Sequence, residues 1–482
     1  MTGGRRPNLV VVMTDDQGHW AMPHRMPELV MPHVAELLEE GLELTQAYCA
    51  SPVCSPARAS MLTGWTPSAH GVHDWLVGDR HPDAEPDHYL EGIPTTPVVL
   101  AGAGYQCAMT GKWHVGDARE PAPGFEYWYA HRYGGGPYYG APIWVEGEPA
   151  EEPRYFTQAV TEQALDFLRT RDAGRPFYLQ VNYTAPHTPW LDNHPDAYVD
   201  LYRDCDFPSV PREEPHPWVE PRHRDFADAF ADPEPNLAGY CASLTAVDDG
   251  LGALRDELRA QGVEDDTILI YLSDNGFACG HHGIWGKGNG TYPMNFWDTS
   301  VRIPFVVRVP DGRRGVTETL VSAAGLHPTL CELAGVPLPA DALGADSFAP
   351  LIRGEDYAGP RVVVVHSEYG GGRMITDGAW KLVVRHAGPD ELYDLVADPG
   401  ERTNLVDDPA HRGRRDELAA ALADWFAHHE RADRSAFTRD VRGYGQVHPV
   451  WRGHPDDRTY MWTDAPDGVL EVEVEPVATV EP

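Results

Sequence analysis

At 482 residues the chain exceeds the size at which a single hydrophobic core stops growing, so a large domain with a second, smaller one is expected. Its 38 Lys and Arg stand against 74 Asp and Glu, a formal charge of −36 that argues against nucleic acid and anionic membranes as partners. No apolar run reaches the ~18 residues of a membrane span.

The first predicted element is Asn8 to Met13, an apolar run rich in valine that reads as a buried strand and delivers Asp15 and Asp16 at its carboxyl end. A helix over Pro32–Glu40 follows. Cys54-Ser55-Pro56-Ala57-Arg58 then reads as a second helix, started by Pro56, with Arg58 one turn in. The strand Gly104 to Met109 leads into Gly111-Lys112-Trp113-His114. Tyr127 to Glu152, full of Gly, Tyr and Trp, and His194 to Pro235, crowded with Pro, His and charge, are expected to be irregular walls of a substrate pocket. Between them lie a helix over Thr157–Arg169 and a strand over Pro176–Tyr183 that runs into Ala185-Pro186-His187.

A long helix from about Leu237 to Gln261 carries Leu244, Val247, Leu251, Leu254 and Leu258 at steps of three and four, an apolar stripe opposite charged residues. The strand Thr267 to Leu272 repeats the opening pattern and ends in Ser273-Asp274-Asn275-Gly276, and Ile303 to Val309 is a further buried strand. Strand and helix in alternation mean an α/β fold. From Arg361 the texture changes to short strands (361–366, 374–375, 380–384) and one helix near Arg415–Glu430, a small α+β unit, so the boundaries expected are 1–360 and 361–482. The segment from Tyr444 onward has no periodicity and no assigned role. Seven cysteines, odd in number and without zinc-type spacing, together with the lack of an apolar leader before the first strand, point to a reducing cytoplasm.

Ligands gather at the carboxyl ends of strands in open α/β sheets, so two strand ends can bring Asp15, Asp16, Asp274 and Asn275 together. An all-oxygen set selects calcium or magnesium over zinc, with calcium expected and magnesium the alternative. The acidic bulk would oppose an anionic substrate, so an anion site needs local cations. Arg58, Lys112, His114, His187 and Lys287 are the candidates, with His282 a further one. Each motif alone also has a plain structural reading: a buried thiol for Cys54, a cap for an Asp pair, a surface turn for Gly-Lys-x-His.

The window Pro52 to Gly64 resembles, without a departure, the signature of the type I sulfatases, members of the alkaline phosphatase superfamily. Gly111-Lys112-Trp113-His114 resembles their second signature, although Cys107 and Thr110 depart from its usual residues. Ala185-Pro186-His187, Gly283-Ile284-Trp285-Gly286-Lys287 and, further on, Trp380-Lys381-Leu382 and Glu391-Leu392-Tyr393-Asp394-Leu395 extend the resemblance over nearly the whole chain. It implies an alkaline-phosphatase-like α/β fold, a mostly parallel sheet sandwiched by helices, with a carboxyl-terminal antiparallel sheet.

It also implies a hydrolase in which a maturation enzyme oxidises Cys54 to Cα-formylglycine, whose hydrate attacks the sulfur of a small sulfate ester. The metal ligands would be Asp15, Asp16, Asp274, Asn275 and the modified Cys54. Lys112, Lys287 and His187 would bind sulfate or protonate the leaving oxygen, and His114 would contact the nucleophile. Carbohydrate sulfate is the first expectation for substrate and aryl sulfate the second, with the Tyr- and Trp-rich segments (Trp128, Tyr133, Tyr138, Tyr139, Trp144, Trp190) available to stack on a ring. Two other readings stay open: a phosphonate monoester or phosphodiester hydrolase of the same superfamily, and a sulfate-binding homologue with unmodified Cys54.

Overall fold

The computed structural model describes residues 6–76, 88–219, 229–291, 293–338, 344–386 and 388–436. The segment from Tyr444 onward lies outside these. Ten strands form one sheet in the spatial order Gly315–Thr317, Leu42–Leu44, Phe305–Arg308, Thr267–Ser273, Asn8–Thr14, Phe177–Asn182, Gln106–Lys112, Tyr127–His131, Ala141–Val145 and Glu148–Glu152. The five from Thr267–Ser273 to Tyr127–His131 run parallel, whereas Phe305–Arg308 and the last two hairpin strands run antiparallel to their neighbours.

The central strands are buried on both faces, which is why their sequences read as continuous apolar runs. Leu9, Val11, Met13, Ile268, Ile270 and Leu272 enter one core, together with Ala59, Met61 and Leu62 of the helix Cys54–Thr63. Val10, Val12, Leu179, Val181, Leu269 and Tyr271 enter the other, beneath the helices Phe156–Thr170 and Pro233–Ala260. The stripe Leu244, Val247, Leu251, Leu254 and Leu258 lies wholly in this second core.

A separate sheet of four antiparallel strands, Val363–Ser367, Gly372–Thr376, Trp380–Arg385 and Glu391–Asp394, packs Val364, Ile375, Leu382 and Leu392 against Leu418, Leu422 and Phe426 of the helix Arg412–His429. Its other face, through Val363, Val365, Met374 and Val383, joins the core of the large sheet. Period-two alternation thus welds the small sheet to the large one. Among the described residues no helix is long and apolar enough to cross a membrane.

Three expectations change. Tyr127–Glu152 is not an irregular wall but three strands at one edge of the large sheet, and in the connection between the first two Gly134 and Gly135 lie against the rings of His114 and His187. The helix of the Cys54 motif begins at Cys54 itself, with Val53 as its extended N-cap, so Pro56 sits within the first turn rather than starting it. Lys112 is the last residue of its strand rather than part of a following turn. In the His194–Pro235 stretch the described residues hold a short helix, Asp196–Val199, and the first turn of the long helix.

Candidate active site

Register builds the site. Met13 pairs with Leu272 on one side and Asn182 on the other, and Asn182 pairs with Gly111, so four parallel strands end level with one another. Gly111 has a φ of +99°, and a Cβ there would lie 1.9 Å from the Asn182 carbonyl oxygen, so glycine is required for the strands to stay paired. The residues just beyond these ends are Asp15 and Asp16, Asp274 and Asn275, the loop carrying His187, and Lys112 with His114. The helix Cys54–Thr63 aims its first residue at the same point.

Asp15, Asp16, Cys54 and Asp274 each offer a ligand atom within 4.8 Å of the others. Asn275 Nδ2 donates to Asp16 Oδ1 at 2.7 Å and to the Gly276 carbonyl at 2.9 Å, while its Oδ1 is buried with no hydrogen-bond partner. A buried acceptor without a donor costs free energy, and a hard cation among these oxygens would relieve it. The donor set therefore fits calcium or magnesium.

Three buried cations answer three buried carboxylates. Arg58, 2% exposed, donates Nε to Asp274 Oδ2 at 2.8 Å and Nη1 to the Lys112 carbonyl at 2.9 Å, and its Nη2 lies 4.0 Å from Asp15. Lys112, fully buried, pairs with Asp15. Lys287 Nζ reaches Asp16 Oδ1 at 2.5 Å and Cys54 Sγ at 2.7 Å. The thiol also donates to Asp15 Oδ1 at 3.2 Å.

Burial opposes the charge of Asp274, but Arg58, Lys112 and Lys287 hold its carboxyl down to about 2. For Asp16 burial is likewise outweighed, by Lys287 and His187, and its carboxyl stays below the usual range. Asp15 goes the other way: burial and repulsion from Asp274 outweigh Lys112. Burial and the Asp15 charge push the Cys54 thiol well up, so unmodified Cys54 is a thiol rather than a thiolate at neutral pH.

Two imidazoles flank this cluster. His114 Nε2 donates to the Leu76 carbonyl at 2.9 Å, which leaves Nδ1 as a buried lone pair with no partner. Burial, then Lys112 and Arg58, lower its pKa well below the ordinary histidine value and keep it neutral. His187 Nδ1 donates to the Thr188 carbonyl at 2.8 Å and so presents Nε2, 3.9 Å from Asp16 Oδ2. The His187 loop is pinned by Tyr138, whose hydroxyl donates to the His187 carbonyl at 2.8 Å, and by Trp190 Nε1 on the Pro186 carbonyl at 2.7 Å.

His282 is placed elsewhere. Its ring stacks on Trp297 with centroids 4.4 Å apart and planes within 1°, and its backbone N–H donates to Glu213. Trp285 packs on Trp190 at 5.6 Å within the core. Most of the aromatics expected to stack on a sugar are packed as well: Tyr133, Tyr138, Trp144 and Trp190 are buried and Trp128 lies against Trp113 at 5.3 Å, leaving Tyr139 exposed. Several supporting groups carry no motif. Asn182 Nδ2 donates to the Lys112 carbonyl at 2.9 Å, and the Tyr240 hydroxyl donates to the Asp16 carbonyl at 3.1 Å while accepting from Gly18 N at 3.2 Å. Within the Gly-rich stretch the fold lays Gly134 against the ring of His114 and Gly135 against that of His187.

Clustered carboxylates, cations and imidazoles at the carboxyl ends of a mostly parallel sheet define an alkaline-phosphatase-like α/β hydrolase. Residues 7–336 match the family model described as sulfatase, and residues 280–428 match that of the N-sulphoglucosamine sulphohydrolase C-terminal region. The chain belongs to the sulfatase family, whose members are sulfuric ester hydrolases. It is 29% identical to a choline-sulfatase of Rhizobium meliloti (strain 1021), over 92% of this chain and 90% of that one. It is 26% identical to an N-acetylglucosamine-6-O-sulfatase of Bacteroides thetaiotaomicron, over 87% and 86%. A solved structure in complex with its substrate D-glucosamine-2-N,6-O-disulfate shares the fold with a TM-score of 0.74 at 24% identity, covering 88% of this chain and 98% of that one.

Proposed function

We propose that this sulfatase hydrolyses the sulfate ester of a carbohydrate, with residue 54 acting as Cα-formylglycine hydrate, residues 1–360 as the catalytic domain and 361–482 as an appended subdomain. One observation carries the reading: Cys54 heads a buried helix with its Sγ 2.7 Å from Lys287 Nζ and 3.2 Å from Asp15, within a cluster fit for a divalent cation. The amino-sugar relative supports the substrate class, and the choline-sulfatase relative puts choline sulfate in the same screen.

A calcium or magnesium ion held by Asp15, Asp16, Asp274 and Asn275 would supply Lewis acidity toward a sulfate oxygen and the attacking hydroxyl. Oxidised and hydrated, residue 54 would supply a geminal diol, one hydroxyl to attack sulfur and a second whose deprotonation releases sulfate and restores the aldehyde. Lys112 and Lys287 stand where the sulfate oxygens gain negative charge, and being fixed by Asp15 and Asp16 they need no reorganisation as that charge develops. His187, protonated, gives its Nε2 proton to the leaving oxygen as the sulfur–oxygen bond breaks. His114 then takes the proton of the second hydroxyl on Nδ1, the lone pair that its bond to Leu76 leaves free. The attacking hydroxyl gives its own proton to Asp15, whose Oδ1 stands 3.2 Å from Sγ of residue 54, and the balance is one water consumed and one alcohol, one sulfate and one proton produced.

Mass spectrometry of the peptide spanning residues 52–64 tests the reading, because conversion of thiol to aldehyde lowers its mass by about 18 Da. Parallel turnover of sulfated amino sugars, choline sulfate, aryl sulfates, a phosphodiester and a phosphonate monoester tests the substrate class. Full turnover by protein that retains the thiol would sink the nucleophile, and preference for the phosphorus esters would sink the sulfate assignment.

A further inference from the structure

We propose that Gly134 and Gly135 are positioning residues of the reaction, Gly134 fixing the ring of His114 and Gly135 that of His187; this rests on the roles given to those imidazoles above. The two glycines lie in the connection between the strands Tyr127–His131 and Ala141–Val145. A Cβ on Gly134 would stand 2.2 Å from Cε1, 2.3 Å from Nε2 and 2.8 Å from Nδ1 of His114. On Gly135 it would stand 2.7 Å from Cε1, 2.9 Å from Nδ1 and 3.3 Å from Nε2 of His187. Neither glycine has a left-handed φ, so the requirement is for space and not for backbone conformation. One dipeptide thus closes on both rings, the base on one residue and the leaving-group acid on the next.

The loop side of the contact is held, so the ring is the side that must move. The loop is tied at Arg132 N to the Pro142 carbonyl (2.9 Å), at Tyr133 N to His131 Nδ1 (3.0 Å) and at Tyr138 through its hydroxyl to the His187 carbonyl (2.8 Å). The rings hang from single carbonyls, His114 on Leu76 and His187 on Thr188. A methyl group at either glycine must therefore push a ring off the carbonyl that sets its tautomer. Displacement of a reacting group by about 1 Å costs on the order of 100-fold in rate.

The two imidazoles serve different half-reactions, which separates a positioning role from general damage. With an ester of an alkyl or sugar alcohol, Gly135→Ala should lower kcat/KM by about 100-fold, while nitrophenyl sulfate, whose leaving group needs no proton, should lose little. With nitrophenyl sulfate, Gly134→Ala should lower kcat and KM together by a similar factor and leave kcat/KM near wild type, because His114 acts after the sulfur–oxygen bond has broken. Equal losses of kcat/KM in both variants across the ester series, or no loss in either, would overturn the proposal.

Stability supplies a second readout that needs no turnover. The three atoms nearest a Cβ at Gly134 all belong to the His114 ring, so Gly134→Ala should lower the melting temperature of the wild type but not of a His114→Ala background. The same loss in both backgrounds would refute the contact. A wild type inactive on every sulfate ester would instead refute the functional reading and leave this cycle to decide the packing.

Discussion

Arg58→Met is the sharpest probe of how the site is held together. Arg58 is buried, and its Nε–Asp274 bond of 2.8 Å and Nη1–Lys112 carbonyl bond of 2.9 Å tie the helix bearing Cys54 to two strand ends. Removing one partner of a buried ion pair leaves the other uncompensated, a loss of about 3–5 kcal/mol. Met replaces only the aliphatic stem, so the space left by the guanidinium adds a cavity cost to the single variant, which the double-variant comparison cancels. Asp274→Asn relieves the stranded charge, and the double variant should recover roughly 2 kcal/mol or more relative to the sum of the singles, whereas sites that do not interact add within about 0.5 kcal/mol. Arg58→Lys keeps the charge but cannot span both partners, and should fall between wild type and Met. Urea denaturation of all five proteins, wild type included, with chelator present reads these differences without interference from bound metal. Additivity of Arg58→Met and Asp274→Asn would refute the clamp.

Three further outcomes are expected. Cys54→Ala should abolish turnover and leave the melting curve near wild type, since the group removed is small and Asp15 and Asp16 keep Lys112 and Lys287 as partners; residual turnover above background would refute the nucleophile. Chelation should lower activity, calcium or magnesium should restore it, and binding should raise the melting temperature, because a ligand of the folded state alone stabilises it; indifference of both readouts would argue against the metal. Asp74 gives a pH signature: burial raises its pKa from 3.8 to about 7. The folded state then holds a proton that the unfolded chain releases, so this residue costs nothing below pH 3.8 and up to about 4 kcal/mol above pH 7. Asp74→Asn should therefore stabilise the protein at pH 8 and lose that advantage as pH falls toward 4; a difference independent of pH would refute the reasoning.

Much of the site was legible in sequence because each functional group follows a strand whose apolar run is itself conspicuous. Asn8–Thr14 and Thr267–Ser273 are continuous hydrophobic strands ending in carboxylates, and their parallel pairing brings Asp15, Asp16, Asp274 and Asn275 together. What sequence could not give is register. Nothing local says that Met13 meets both Leu272 and Asn182, and that pairing determines which residues share the site. Tyr127–Glu152 was misread because edge strands are short, half exposed and interrupted by glycines, so the alternation that marks a strand is broken. His282 is adjacent to its glycine in the same motif segment as Lys287, but a positive φ of 55° turns it onto Trp297. Gly134 and Gly135 carry no side chain for a motif to record, and their role exists only in the distance to His114 and His187.

The opposition between an acidic protein and an anionic substrate is resolved locally. Three carboxylates, Asp15, Asp16 and Asp274, are each paired with one of Lys112, Lys287 and Arg58, so these six side chains sum to zero. Such a site neither repels nor strongly attracts a sulfate monoester. The two charges of a divalent cation would make it net positive, and in a buried setting that excess acts over short distances with little screening. It follows that affinity for a sulfate ester should depend on metal more steeply than on ionic strength. Titrating KM against calcium at low and moderate salt separates the two: a KM set by salt and unaffected by metal would mean that substrate is drawn by surface cations, against a formal charge of −36.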